Sequence, residues 1–246
     1  ANAFYTSYDY KRDYNSHMMK NTEWGAVAYL QHSKYGSMSS VRINNYSEYK
    51  TGYSAVVEPT CGYTGKNEEC NQYGNTEDIT KPWNTSVGYL ASTTGNITGI
   101  YDMSGGAWEY VMGVMENSNG VLYSGRTIEQ HSGFNGPLTE TDEIFQNGVD
   151  FPNSKYYDVY QYDLLETKFD RRILGDATGE MGPFANNVYS REISSWYSDE
   201  SWFLSNASWF LRGIRFTDGN GSGIFAFNRH AGSSQVDGSF RIVLGM

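Results

Sequence analysis

Cysteine, proline and basic residues are all scarce in this chain of 246 residues. It has 2 cysteines and 5 prolines, and 18 Lys and Arg stand against 28 Asp and Glu, giving a net charge of -10. With a pI ≈ 4.8 and no Lys/Arg-rich run, the sequence lacks the basic stripe that grips a phosphate backbone, which argues against a nucleic-acid partner. No apolar run approaches the ~20 residues of a membrane-spanning helix, so no membrane insertion by this chain is expected. No secretory leader pattern occurs in it. Its four histidines, His17, His32, His131 and His230, are scattered without the spacing of a zinc site. There is no EF-hand spacing and no G-x-S-x-G nucleophile context.

Aromatic residues, by contrast, are abundant. They make up 16% of the chain, and Tyr accounts for 21 of them. The core must therefore be rich in rings, and part of the Tyr must reach the surface, where a ring with a hydroxyl offers contact area at low entropic cost. The two cysteines, Cys61 and Cys70, bracket a polar Gly-containing loop, C-G-Y-T-G-K-N-E-E-C. An even, isolated pair of this kind reads as a disulfide in an exported protein.

The length fits a single domain, 1–246, with a loop-rich insert at 44–85 that the disulfide would pin. Residues 1–14 are polar and Tyr-rich and read as an extended or irregular segment. A helix follows, with Ser16 or Asn21 near its start, a stripe of Trp24, Val27, Ala28 and Gln31, and Gly36 at its end. Val41–Ile43 reads as a short strand, and Leu164–Arg172 as a short helix on which Asp163, Glu166 and Asp170 form a solvated, salt-bridged face. Asp199 and Glu200 read as a loop. Strands are expected over 188–196, 210–216, 223–227 and 240–244.

The stretch G-N-I-T-G-I-Y-D-M-S-G-G-A-W-E-Y-V-M-G, residues 95–113, organises the rest. Residues 97–101 read as a strand, 102–106 as a tight turn whose paired glycines permit φ > 0, and 107–112 as a second strand. Trp24, Met103 and Trp108 are expected to meet in one core, with Asp102 and Glu109 bonding turn amides.

G-I-Y-D-M-S-G-G-A-W-E-Y resembles the G-L-Y-D-M-x-G-N-V-W-E-W signature of the formylglycine-generating-enzyme/sulfatase-modifying superfamily. In the same order, M-M-K-N-T-E-W-G-A-V-A-Y at 18–29 resembles its T-E-A-E-W helix. W-F-L-R-G at 209–213 resembles its R-V-x-R-G-G-S-W strand, and G-S-F-R-I-V-L at 238–244 its closing G-F-R strand. The resemblance spans about residues 17–244, with long unmatched inserts. It implies an α+β, C-type-lectin-like fold of short strands, few helices and much irregular chain. Only about 20 residues precede Thr22, so the expectation is either that the chain begins inside a larger protein or that the family's N-terminal element is much reduced.

The catalytic cysteine pair of the resembled enzymes lies near the closing strand, yet no cysteine follows Cys70. The histidine cluster of the related sulfoxide synthases is missing as well. The resemblance therefore implies a protein that is not an enzyme and needs no catalytic cofactor, although a structural calcium is compatible with a C-type-lectin-like domain. The segment after Arg212 resembles instead the variable region of retroelement-diversified ligand-binding proteins that share the fold. On that resemblance the expected ligand face comprises Trp209, Arg215, Phe216, Thr217, Asp218, Asn220, Asn228, Arg229, His230, Ser234, Gln235 and Asp237, with Trp209 and Phe216 as exposed aromatic anchors. Loops on a rigid scaffold suit such a task. The expected protein is a binding domain for a protein or glycan, displayed outside a bacterial cell or on a phage. A structural subunit of a pilus or tail, and a divergent enzyme of the superfamily, are the competing readings.

Overall fold

The computed structural model describes residues 1–44, 49–51, 80–116, 134, 152–161, 173–178, 192–193, 199–201, 209–230, 232 and 237–245. Cys61 and Cys70, the short helix over 164–172, most of the 44–85 insert, and Ser234 and Gln235 lie outside the described residues. Among the described residues two α-helices and nine strands give an α+β architecture.

The chain opens with helix α1, Asn2–Tyr10, where an extended or irregular segment was expected. No side chain caps its N-terminus. What holds it is a tertiary cluster: Phe4 and Tyr8, one turn apart, stack at 6.0 Å between centroids. Phe4 also meets Phe134 and Tyr156 edge to face. Ser16 does not cap the second helix. Its hydroxyl donates to the Tyr8 carbonyl and accepts from the Lys11 N–H, closing the end of α1.

Strand β1, His17–Met18, leads into helix α2, Asn21–Gln31, which stops before Gly36. Glu23 accepts the Lys20 backbone N–H at 2.8 Å, the carboxylate half of a capping box. Asp158 accepts the Thr22 N–H at 2.8 Å and pairs with Lys20 Nζ at 3.3 Å, so a second carboxylate sits at the helix's positive end. Trp24, Ala28 and Gln31 are buried, as the stripe implied.

Residues 41–43 form no strand, and 97–101 run through turns rather than a strand. The paired glycines do turn the chain: Gly105 and Gly106 have φ of 75° and 74°. A Cβ at Gly105 would fall 2.4 Å from the Asn44 carbonyl oxygen, so no larger residue fits. Across this turn Gly105 N–H donates to the Gly213 carbonyl at 2.9 Å, and Phe216 N–H to that of Gly106 at 2.8 Å. The signature thus fastens the C-terminal part of the chain.

Strand β2, Trp108–Glu116, is the spine of the sheet. Further on come β3 (Asp158–Gln161), β4 (Glu192–Ile193), β5 (Glu200–Ser201), β6 (Trp209–Arg212), β7 (Phe227–His230), β8 (Gly238–Phe240) and β9 (Ile242–Val243). The order is β3-β2-β6-β7-β5-β4, with β8 beside β2, and β1 pairs with β9 separately. The strands expected over 210–216 and 240–244 do not pair with each other. Instead β6 and β8 both pair with β2, and β9 pairs with β1. Expected strand 223–227 is displaced too: residues up to 226 turn, and pairing starts at Phe227.

Alternate residues of β2 and β6 feed two cores. Val111 and Phe210 join Trp24, Met103, Tyr160, Phe225 and Phe227 on one face of the sheet. Met112, Val114 and Trp209 join Phe4, Phe134, Tyr156 and Tyr157 on the other. Both faces are covered, which is why β2 reads as a continuous apolar run. Trp24 and Met103 are fully buried together, but Trp108 is only half-buried and lies outside both clusters. It sits at the start of β2, where its backbone pairs with Asp237 and Ser239.

Candidate functional site

Two kinds of polar feature stand out, an interior network and a surface ledge. In the interior, Arg212 of β6 is fully buried, between the rings of Trp24 and Phe227 at 5.6 Å from each. Its guanidinium donates twice to the Ala177 carbonyl at 3.2 Å, and burial pulls its pKa down to about 10. Nearby, the Tyr160 hydroxyl donates to Asp176 at 2.5 Å and accepts from Asn21 at 2.8 Å. Burial and the Asp176 charge drive that hydroxyl well above its ordinary pKa. The Asn21–Tyr160–Asp176 chain ties α2 to β3 and to the 173–178 segment.

Asp102 and Glu109 of the signature do not bond turn amides. Asp102 accepts from the Asn44 side chain, and Glu109 pairs with Arg241 next to β9. Burial lifts Glu109 to about 7 against the opposing pull of Arg241. At the N-terminal end, the His17 ring bonds Glu23 through Nε2 at 2.8 Å and the Asn15 carbonyl through Nδ1 at 2.7 Å. Burial opposes a charge there, but those two acceptors raise the His17 pKa, and the same contact lowers that of Glu23.

The residues expected to bind ligand divide into three groups. Trp209, Phe216 and Asn228 are buried, at 5%, 6% and 5% exposure, so neither aromatic is an exposed anchor. The reason is the two-faced sheet: Trp209 belongs to the second core, and Phe216 is drawn inward by its bond to Gly106. His230 stands opposite Trp209 in the β6–β7 register, at the far end of that hairpin from residues 213–226. There its Nδ1 hydrogen-bonds the Tyr110 hydroxyl. Arg229 lies in β7; its side chain and that of Asn220 are outside the described atoms.

The third group is brought together. Arg215 Nε reaches Asp218 at 3.2 Å, and its NH1 reaches Asp237 at 2.9 Å. The Asp237 hydrogen bond, first, and the two aspartate charges raise the Arg215 pKa. Thr217 is exposed between them. The turn at Phe216–Gly221 and the start of β8 thus form one polar ledge beside the signature turn.

Among the described residues no group of three or more His, Cys, Asp or Glu is placed to hold a metal ion, and no helix is long and apolar enough to cross a membrane. Asp199, which reads as a loop residue in the sequence, lies just before β5 and is buried. Its side chain is 5% exposed, next to Glu200 at 2%, and Glu200 is the first residue of β5. The signal available was the pair of rings that bracket it in sequence, Tyr197 and Trp202. No protein-family model matches this chain, and no curated protein matches it.

Proposed function

We propose that this is a non-catalytic ligand-binding domain with a C-type-lectin-like fold, and that it recognises a protein or glycan outside the cell through the ledge of Arg215, Thr217, Asp218 and Asp237. The fold assignment is supported by the convergence of the four motif-bearing segments. Helix α2 sends the Trp24 indole N–H to the Ile224 carbonyl at 2.7 Å, and β2 takes β6 on one edge and β8 on the other. The absence of any cysteine after Cys70 favours binding over the superfamily's chemistry.

The observation that carries the site is the double ion pair of Arg215. It ties the 216–221 turn to the segment entering β8, so polar groups from two distant parts of the chain are held in one arrangement before any ligand arrives. Preorganisation of that kind lowers the entropic cost of binding.

The test is a screen of the purified domain against arrayed glycans and bacterial surface proteins, followed by the double variant Arg215→Ala, Thr217→Arg. A ligand of either class that binds the variant at least about tenfold more weakly, at unchanged melting temperature, supports the reading. A ligand that binds the variant undiminished overturns the site, and a screen that returns neither class overturns the function.

A further inference from the structure

Away from the ledge, a cavity of about 340 Å³ opens between the end of α2 and the chain that returns from the signature turn. That volume lies within the range of small-molecule sites. Val41, Ile43, Ile224 and Phe225 supply apolar wall, while Ser104, Ser222, His32 and Asp199 supply polar groups. Among the described residues no Lys or Arg lines it.

The polar groups are unevenly satisfied. Asp199 Oδ2 accepts one backbone N–H, that of Phe225, at 2.9 Å. Its carboxylate occupies the space beside Gly223 where a Cβ would stand, 2.0 Å away, so the glycine is what lets it lie against the backbone. Ser104 is 2% exposed, and its Oγ has no hydrogen-bond partner. A buried hydroxyl in that state costs free energy until something bonds it. Ser222 donates its own proton to the Arg215 carbonyl at 3.0 Å, which leaves its oxygen able to accept. The His32 ring stacks on Phe225 at 5.1 Å, and burial lowers its pKa, so it adds no positive charge at neutral pH. Arg212 acts on Asp199 only through space and is spent on the Ala177 carbonyl.

We propose that this cleft binds a primary ammonium group carried on a short aliphatic chain. The ammonium has three N–H donors and a charge. The cleft offers three oxygen acceptors on Asp199, Ser104 and Ser222, one of them a carboxylate, and apolar walls for the methylenes. An anion would meet the Asp199 charge with no cation among the described lining residues to offset it. A neutral alcohol would leave that charge unpaired. The same chemistry is carried by a free amine and by a lysine side chain of another protein. The site shares only the 215–222 segment with the ledge and stands independently of the function proposed there.

The experiment is calorimetric titration of the whole chain at about pH 8, where the carboxylate is ionised, with n-butylammonium, n-butanol and n-butyrate, and with a blocked peptide that contains one lysine. Binding of n-butylammonium or of the lysine peptide, with neither the alcohol nor the carboxylate binding, is expected. Asp199→Asn should weaken it at least about tenfold and Ser104→Ala by a few-fold, and Ile43→Trp, which fills the cavity, should abolish it. If only the peptide binds, the natural ligand is a protein lysine; if the free amine binds equally, it is a small amine. Absence of binding by both, equal binding of n-butanol, or undiminished binding to a folded Asp199→Asn protein would each overturn the proposal.

Discussion

Replacing Asp199 by Asn tests how the interior treats charge. In the unfolded chain this carboxyl titrates near 3.8, and in the folded protein burial lifts it to about 7, against the opposing bond from Phe225. Between those values the folded state holds a proton that the unfolded state has released. Stability must then fall as pH rises, by about 1.4 kcal/mol per pH unit from this one group. The contribution is fully present below about 3.8 and gone above about 7. Integrated over the interval, the loss is on the order of 4 kcal/mol, an upper figure for a side chain that is 5% exposed. Asn keeps the acceptor for the Phe225 N–H and has nothing to titrate. Urea unfolding of both proteins at closely spaced pH values from about 4.5 to 8 should therefore give curves that diverge, the wild type losing stability relative to the variant until the gap levels off above neutrality. Other groups, Glu109 among them, titrate in both proteins and cancel in the difference. Parallel curves would mean that Asp199 ionises normally, and the buried, poorly satisfied environment described for it would be wrong.

Two further outcomes are expected. Trp24→Ala should lower stability by about 3–5 kcal/mol, since a fully buried indole and its bond to Ile224 are lost; Trp108→Ala should cost clearly less, and equal losses by chemical denaturation would contradict the placement of the two rings. Glu23→Gln should cost about 1 kcal/mol at the N-terminus of α2 and return the His17 pKa towards its ordinary 6.5, read by NMR titration. The His17 contribution is present below that value and lost as pH rises through its raised folded pKa, while the Glu23 contribution is present above about 4.5 and lost as pH falls through its lowered one. The pair is thus strongest between the two, and a flat wild-type-minus-variant difference across that window would refute it.

Much of the scaffold was legible in the residues. The helix at Trp24, the glycine turn and the strand after it follow from periodicity and from the φ that Gly105 and Gly106 must adopt. So does the burial of Ile224, Phe225 and Phe227. What escaped was set by partners remote in sequence. Helix α1 carries no N-terminal cap and no charge pattern, and the rings of Phe134 and Tyr156 reveal why it forms. Trp209 and Phe216 looked like surface aromatics because they flank polar, glycine-rich chain, and a second core behind the sheet takes in the first of them. The candidate site divided in the same way. Arg215, Asp218 and Asp237 came together because Phe216 N–H is fastened to the Gly106 carbonyl and Trp108 N–H to the Asp237 carbonyl, both at the entry to β2, a neighbour relation that no local pattern encodes. Asp199 and Ser104 belong to a cavity whose walls come from five separate stretches of chain.

The pairing of β1 with β9 joins His17 to Val243, and it bears on the order in which this protein can be made. Closing so long a loop is entropically costly and contributes little until the strands between are in place. A ribosome makes β1 well before β9, so β1 has no strand partner until Ile242 and Val243 emerge. Folding should therefore be slow and should finish where β1 meets β9.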